Sequence, residues 1–325
     1  MTSRADPTVR AEYVLPLRWV DDDELEDLTA YLEMLASQLP VTVVDGSPEP
    51  LFAAHARRWQ SSVRHVRPGR WPGRNRKVAG VMTGVLLADA DAVVVADDDV
   101  RWEVDQLRSA VALLECGDVV RVQNVFDPLP WHARWDTARS LVNRGVSADY
   151  PGTLVVRRST LLRAGGYDGD VLFENLELLR TVRAGGGTEV LADHVCVRRR
   201  PPTTARFWGQ RVRQAYDSFA QPLRLLTEAA VLPLLLWSTA HRRPGPVLGA
   251  SAGVTLLAWA GRRRHGGRAA FPASTVAWAP VWMLERGVCT WLAIALRLTG
   301  GVPYRHRRIV RAASSVRALR RRASL

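Results

Sequence analysis

Three consecutive aspartates, Asp97, Asp98 and Asp99, close the apolar run AVVVA and are the densest chemical feature of the 325-residue chain. Carboxylates at i and i+2 on extended backbone point the same way, so Asp97 and Asp99 can share one divalent cation. Mg²⁺ or Mn²⁺ held by one or two carboxylates completes its shell with substrate phosphates, which makes a nucleotide diphosphate the natural co-ligand. Asp45 closes a second such run, VTVV, and ligands of open α/β sheets bind beyond the carboxyl ends of the strands. Two acidic strand ends in one domain favour a site over ordinary turn aspartates. Lys77 is the one lysine among 45 basic residues. Its compact ammonium suits a phosphate or a base carbonyl.

Other chemistries fail on spacing. Gly185 to Gly187 join a helix to a strand, the wrong order for a dinucleotide fingerprint. There is no G-x-S-x-G, no P-loop, no paired C-x-x-C, and the seven histidines show no H-x-x-x-H. Cys116, Cys196 and Cys289 are odd in number and far apart, which implies neither a disulfide framework nor a zinc site and suits a reducing compartment.

The elements that must position the acids follow from hydrophobic periodicity. Strands are expected at 13–19, 41–47, 63–66, 91–100 and 118–125, and helices at 21–39, 48–59, 77–88 and 104–115. This alternation predicts an α/β fold with a mostly parallel sheet and covering helices. Charge divides the chain: residues 1–197 carry 22 basic and 29 acidic side chains, residues 198–325 carry 23 and 3. The basic half also holds the long apolar stretches, 225–240, 246–261 and 269–296, a combination that points to an anionic membrane surface rather than to nucleic acid. Spanning a bilayer takes about 20 helical residues, so the first two stretches are short. The tail, 305–325, has eight arginines and no acid. Keeping that tail and GRRRHGGR on the cytosolic side predicts a hairpin of two crossings, followed by an interfacial helix bearing Trp278, Trp282, Glu285, Arg286 and Trp291. The N-terminus turns acidic before any long apolar run, so no cleavable signal is expected and the first half is expected in the cytosol.

Five segments occur in an order that resembles family 2 glycosyltransferases of the GT-A fold, most closely the membrane-bound ceramide glucosyltransferase-like branch. They are VVDGS at 43–47, NRKVAGVMTG at 75–84, ADDDV at 96–100, GGYDGDVLFENLEL at 165–178 and WGQRVRQ at 208–214. The resemblance spans about residues 12–215. It implies that Asp45 accepts hydrogen bonds from the uracil or ribose of the donor. Asn75 and Lys77 match an N-x-K step near the nucleotide, Asp97 and Asp99 the metal-binding D-x-D, and Asp98 a position beside it turned toward the sheet or loop. Glu174 stands at the head of the acceptor-side helix, where the family places its general base. The acid that usually follows is Asn175, which is no base at ordinary pH; Glu177, one turn on, is the alternative to Glu174. Gln210 and Arg213 keep the polar pair of Q-x-x-R-W, with Gln214 in place of tryptophan, and Arg213 would assist departure of the diphosphate.

The expected organisation is a catalytic domain over 1–200, an interfacial amphipathic segment with the Q-x-x-R element over 201–224, membrane-associated helices over 225–304 and a basic cytosolic tail over 305–325. The expected activity is inverting, metal-dependent transfer of a sugar from a nucleotide-diphospho-sugar, a UDP-sugar by resemblance, to a hydroxyl of a lipid or membrane-associated acceptor. Two alternatives stay open: a sugar-nucleotide-binding scaffold on a decayed transferase fold, and a polyprenyl-phosphate sugar synthase.

Overall fold

The computed structural model describes residues 10–304 and 307–323. The chain opens with β1 (Glu12–Leu17), α1 (Leu25–Ala36), β2 (Val41–Asp45), α2 (Glu49–Trp59), β3 (Arg64–Val66), α3 (Arg76–Leu87), β4 (Ala92–Val95) and β5 (Val100–Arg101). It continues through α4 (Val104–Ala112), β6 (Val119–Phe126), α5 (Trp131–Val146), β7 (Leu154–Arg157), α6 (Arg158–Arg163), α7 (Glu174–Ala184), β8 (Glu189–Arg199) and α8 (Thr204–Tyr216). Then follow α9 (Pro222–Ala240), α10 (Gly245–Arg263), α11 (Gly267–Ala270), α12 (Ala279–Leu298), the hairpin β9 (Val302–Tyr304) and β10 (Arg307–Ile309), and α13 (Val316–Ala323).

Eight strands form one mixed, mostly parallel sheet in the order β3-β2-β1-β4-β7-β6-β8-β5. β1 to β4, without β5, run parallel; β7 is antiparallel to both β4 and β6, β8 is parallel to β6, and β5 is antiparallel to β8. Side chains alternate across it. Tyr13, Leu15 and Val43 face α1, α2 and α4 with Leu28, Leu32, Trp59 and Leu107, while Val14, Val93 and Val95 face α3, α6 and α7 with Val78, Met82, Leu161 and Leu178.

The run expected as one strand over 91–100 is two, because Asp97 to Asp99 make a turn closed by Val100 N–H donating to Asp97 O at 3.1 Å. β4 and β5 are four strands apart in the sheet yet joined by only four residues, so the sheet must curl to bring its far edge back to the end of β4. Part of the bend is visible in β8, where pairing with β6 slips between Val122–Ala192 and Gln123–Cys196. The D-D-D turn thereby lies inside the curl.

The C-terminal helices are packed onto this unit. Arg144 of α5 is fully buried and donates to Gln123 Oε1 at 3.0 Å, Asp193 O at 2.9 Å, Gly261 O at 3.3 Å and Arg264 O at 2.7 Å. At the root of α9, Arg224 donates to Asn143 Oδ1 at 2.7 Å. Both ends of the α9–α10 hairpin are therefore tied to α5. α12 crosses beside α8, where buried Arg211 donates to Asp136 at 3.2 Å and lies 3.9 Å from Glu285. Among the described residues, α9 and the run Ala273–Leu298 are long and apolar enough to cross a membrane by length and composition; α10, expected as the second crossing, is not among them.

Within the expected tail over 305–325, the described residues 307–323 are docked on the α/β unit. Phe173 N–H donates to Ala312 O at 2.8 Å, Arg180 to Ser314 O at 2.8 Å, and Arg311 and Arg322 both reach Asp168. The cationic tail finds the acidic half of its own chain.

The α5–α10 contact is close because two glycines allow it. A Cβ on Gly261 would lie 1.9 Å from Leu141 O, and one on Gly145 would lie 2.2 Å from Leu257 O. Gly261→Ala is expected to cost about 1–3 kcal/mol and to lower the unfolding temperature, whereas Gly249→Ala, inside α10 with open space around it, leaves that temperature the same or higher in the same differential scanning fluorimetry.

Candidate active site

The carboxyl ends of β1 and β2, the D-D-D turn, the first turns of α3 and α7, the end of β8 and one face of α8 enclose a cleft of about 480 Å³. Six cations, Arg18, Arg76, Lys77, Arg199, Arg206 and Arg213, and five acids, Asp97, Asp98, Asp99, Glu174 and Asp217, line it. Gln210 and Gln214 of α8 line it as well. A second cavity of about 180 Å³ opens from the same wall, between α5, the loop around Tyr150 and the start of α7.

Lys77 ties the wall together. Its Nζ lies 2.5 Å from Asp97 Oδ1 and 2.7 Å from Glu174 Oε1, with the side chain 23% exposed. Burial opposes the charge, but Asp97 and then Glu174 outweigh it and hold the ammonium's pKa above the ordinary lysine value. Arg199 performs the matching task on the other side of the turn. Its Nε donates to Asp99 Oδ2 at 2.7 Å and its NH2 lies 3.4 Å from Asp97 Oδ2. Burial pushes Asp97 up, yet Lys77 and Arg199 bring it below the usual carboxylate range. Burial also pushes Asp99 up; Arg199 opposes this, Asp97 and Asp98 add to it, and the net shift is upward.

Asp97 and Asp99 thus share one side of the turn, bridged by a single guanidinium. Asp99 Oδ1 is buried and has no hydrogen-bond partner among the described residues. A hard dication would satisfy that oxygen, and an all-carboxylate donor set suits Mg²⁺ or Mn²⁺, so the residues fit such an ion. Asp98 turns to the loop after β1 and accepts from Trp19 Nε1 at 2.5 Å, at the rim of the cleft.

Three residues expected at the ligand are held elsewhere. Asp45 is fully buried. Its Oδ1 accepts from Ser47 N–H at 2.8 Å, and its Oδ2 contacts His55 Nδ1 at 2.6 Å and His65 Nε2 at 3.1 Å. Burial opposes ionisation, but His65, Ser47 and His55 hold the carboxyl well below the usual range. Its neighbours Val44 and Gly46, not Asp45, line the cleft. The Asp45, His55 and His65 ligand atoms lie within 4.8 Å of one another, close enough for an ion, but their mutual hydrogen bonds already satisfy them. Asn75 caps α3: its Oδ1 accepts from Lys77 N–H at 3.1 Å and its Nδ2 donates to Val171 O at 3.0 Å. Glu177 is fully buried and accepts from Ser314 N–H at 2.5 Å, facing the C-terminal segment instead of the cleft. Asn175 lines the second cavity and donates to Gly152 O at 2.9 Å.

Sequence reasoning missed Arg199, Asp217 and Tyr304. Arg199 is one of three consecutive arginines, with nothing local to single it out. Asp217 lies four residues beyond Arg213, on the same helical face, a spacing that could have flagged it. Tyr304 lines the cleft and donates to Asn75 Oδ1 at 3.2 Å.

No protein-family model and no curated protein matches this sequence. Among solved structures the chain is similar to a mannosyltransferase from Pyrobaculum calidifontis in complex with GDP-Man and Mn²⁺, with a TM-score of 0.50, 17% identity, and 88% of each chain covered. Mannosyl-3-phosphoglycerate synthase from Rubrobacter xylanophilus follows at a TM-score of 0.40 and 18% identity, over 63% of this chain and 74% of that one. Glucosyl-3-phosphoglycerate synthase from Mycobacterium tuberculosis, in complex with Mn²⁺, UDP and phosphoglyceric acid, has a TM-score of 0.40 and 16% identity, over 61% and 73%. The first likeness defines the class: the fold is that of the GT-A glycosyltransferases. An identity of 17% carries no substrate with it.

Arg199 bridges the two carboxylates that would hold the ion, so Arg199→Met should unfold at a lower temperature in EDTA and gain more from Mn²⁺ than the parent chain. Saturation at about a hundredfold over Kd is worth about 2.7 kcal/mol. An Mn²⁺ increment that Asp99→Ala leaves intact in either background would remove Asp97 and Asp99 as the ligands.

Proposed function

We propose that the protein is an inverting, metal-dependent glycosyltransferase of family 2 type. It would move a sugar from a nucleotide-diphospho-sugar to a hydroxyl of a lipid or membrane-associated acceptor. The observation that carries this reading is the convergence, on a GT-A fold, of the D-D-D turn, Lys77, Glu174, Gln210 and Arg213 on one cleft rimmed by cations. The sequence resemblance favours a UDP-sugar and the ceramide glucosyltransferase-like branch.

Asp97 and Asp99 would hold Mg²⁺ or Mn²⁺, which supplies charge neutralisation at the diphosphate. The residues of the chain do the rest. Arg18, Arg76, Arg206 and Arg213 ring the cleft with positive charge where a diphosphate would lie and where negative charge grows as the sugar departs. Lys77 keeps Asp97 ionised and ready for the metal. Gln210 offers an amide to phosphate or sugar oxygens. The second cavity, on the far side of Lys77 and Glu174, is the natural seat for the acceptor hydroxyl. Its Tyr150 ring lies 4.6 Å from the Arg224 guanidinium at the root of α9, so an acceptor embedded beside the apolar helices has a short path to it.

α9 and α10 leave Leu223, Leu226, Leu236, Trp237, Leu248, Leu256 and Trp259 exposed, with Arg242, Arg243 and Arg262 to Arg264 at the hairpin's two ends. An apolar band bounded by arginines fits insertion into an anionic bilayer, with the catalytic unit on the cytosolic face. A second reading, a donor-binding scaffold without turnover, rests on Asn175 in the place of an acid.

The test is transfer by the purified full chain in phosphatidylglycerol-containing vesicles, with radiolabelled UDP-glucose, UDP-galactose or GDP-mannose and Mn²⁺, followed by organic extraction. Lipid-soluble label is expected, and sustained turnover excludes the scaffold. Asp97→Ala and Asp99→Ala should each reduce transfer by about a hundredfold or more, and retention of metal-dependent transfer by both would defeat the metal assignment. Lys77→Arg keeps the charge but presents a planar fork to two carboxylates on different elements, so transfer is expected to fall about tenfold, against less than about twofold for exposed Arg57→Lys.

A further inference from the structure

We infer that Asp217, rather than Glu174, takes the proton from the attacking acceptor hydroxyl; this rests on the transferase reading above. Glu174 is poorly placed to do so. It is 8% exposed, its Oε1 is 2.7 Å from Lys77 Nζ, and its Oε2 accepts from Asn75 Nδ2 at 3.4 Å. A carboxylate already holding an ammonium and an amide gives up those contacts to accept another proton. Its role is to position Lys77 and, through it, Asp97.

Asp217 has the opposite surroundings. It follows α8 directly, one helical turn after Arg213, and lines both the cleft and the second cavity. Its Oδ1 is buried and has no hydrogen-bond partner among the described residues. The 3₁₀ turn that carries it, Asp217–Ala220, is held rigid: Ser218 Oγ donates to Glu228 at 2.6 Å and Arg180 donates to Ala220 O at 2.9 Å. A buried, unpartnered carboxylate oxygen in the wall shared by donor and acceptor cavities is what the attacking hydroxyl requires.

The groups that act on it come from every element around it: Arg213 of α8, Glu174 of α7, Arg286 of α12, Arg139 of α5, and the Tyr150 hydroxyl. Burial is the largest influence and, with Glu174 adding and Arg213 opposing, pushes the carboxyl up to about 7. In the step itself the acceptor O–H bond breaks toward Asp217 as the oxygen bonds to the anomeric carbon. The bond from that carbon to the diphosphate oxygen breaks, and its electron pair leaves with the nucleoside diphosphate. Asp217 then returns the proton to water.

The experiment uses the full chain in vesicles with the donor that supports transfer, comparing Asp217→Asn, Asp217→Glu and Glu174→Gln. Asp217→Asn should lower kcat about a thousandfold with donor Kd, read by isothermal titration with the UDP- or GDP-sugar and Mn²⁺, within about twofold of the parent. The parent's kcat should rise with pH through about 7, and that limb should vanish in Asp217→Asn and return, displaced, in Asp217→Glu. Because the raised pKa means that ionising Asp217 costs the fold stability as pH rises from the ordinary carboxylate value through about 7, Asp217→Asn should unfold at or above the parent's temperature at pH 8. Glu174→Gln should instead weaken Mn²⁺ and donor binding while keeping the pH limb. If Asp217→Asn transfers at the parent's rate, or loses donor binding together with activity, Asp217 is not the base although the transferase reading stands. If the parent transfers nothing from any donor, both readings fall.

Discussion

The ammonium of Lys77 is the contact on which the site depends. It sits within hydrogen-bond reach of one carboxylate from the D-D-D turn and one from the head of α7, elements far apart in the chain. Without a cation there, Asp97 and Glu174 would face each other as like charges in a half-buried wall, a destabilising arrangement in low dielectric. Arg199 repeats the logic at Asp97 and Asp99 and explains why the far edge of the sheet can return to the end of β4: the curl ends in an ion pair. The acidic turn is therefore held in shape by protein cations.

The same principle joins the basic half to the acidic one. Arg144, Arg211, Arg224 and Arg311 each run from one half to the other and end on carbonyls or carboxylates. Each guanidinium offers five donors in a fixed plane and satisfies acceptors from two elements at once, which a lysine at the same place could not. The C-terminal helices are for this reason an extension of the α/β unit. Gly145 and Gly261 bring α5 and α10 close enough for Arg144 to reach.

Strands β1 to β4 and β6 and the acids that follow β4 were legible because each is a local pattern, a short apolar run or an apolar run into charge; β7 and β8 were not expected, and the head of α7 was implied only by the family resemblance. The errors fall where a local pattern has two readings. Asp45 ends a strand as a ligand-binding acid should, but His55 and His65, ten and twenty residues on, fold back onto its carboxylate and withdraw it. Asn75 sits where a nucleotide contact was expected and is consumed as a helix cap. Glu177 looks like a solvated position on an amphipathic helix until the C-terminal segment covers it. For Glu177 the partner lies 137 positions away in a segment with no periodicity of its own; for Asp45 and Asn75 the local pattern does not distinguish a ligand-binding side chain from one spent on the fold.

By itself the sequence determined which chemistry the chain could carry: a cluster of hard carboxylates after a buried strand, one lysine, an acidic half and a basic, apolar half. These depend on residue type and on spacings of two to four positions, which backbone geometry alone converts into direction. Only the tertiary structure decided which carboxylates are free. Whether a polar side chain is neutralised, capped or left without a partner depends on groups 10 to 229 positions distant, such as His55 for Asp45, Lys77 for Glu174 and Tyr304 for Asn75. That is why Asp217, marked in the sequence only by its spacing from Arg213, becomes prominent once burial and neighbours are known, and why Asp45, prominent in the sequence, does not reach the cleft.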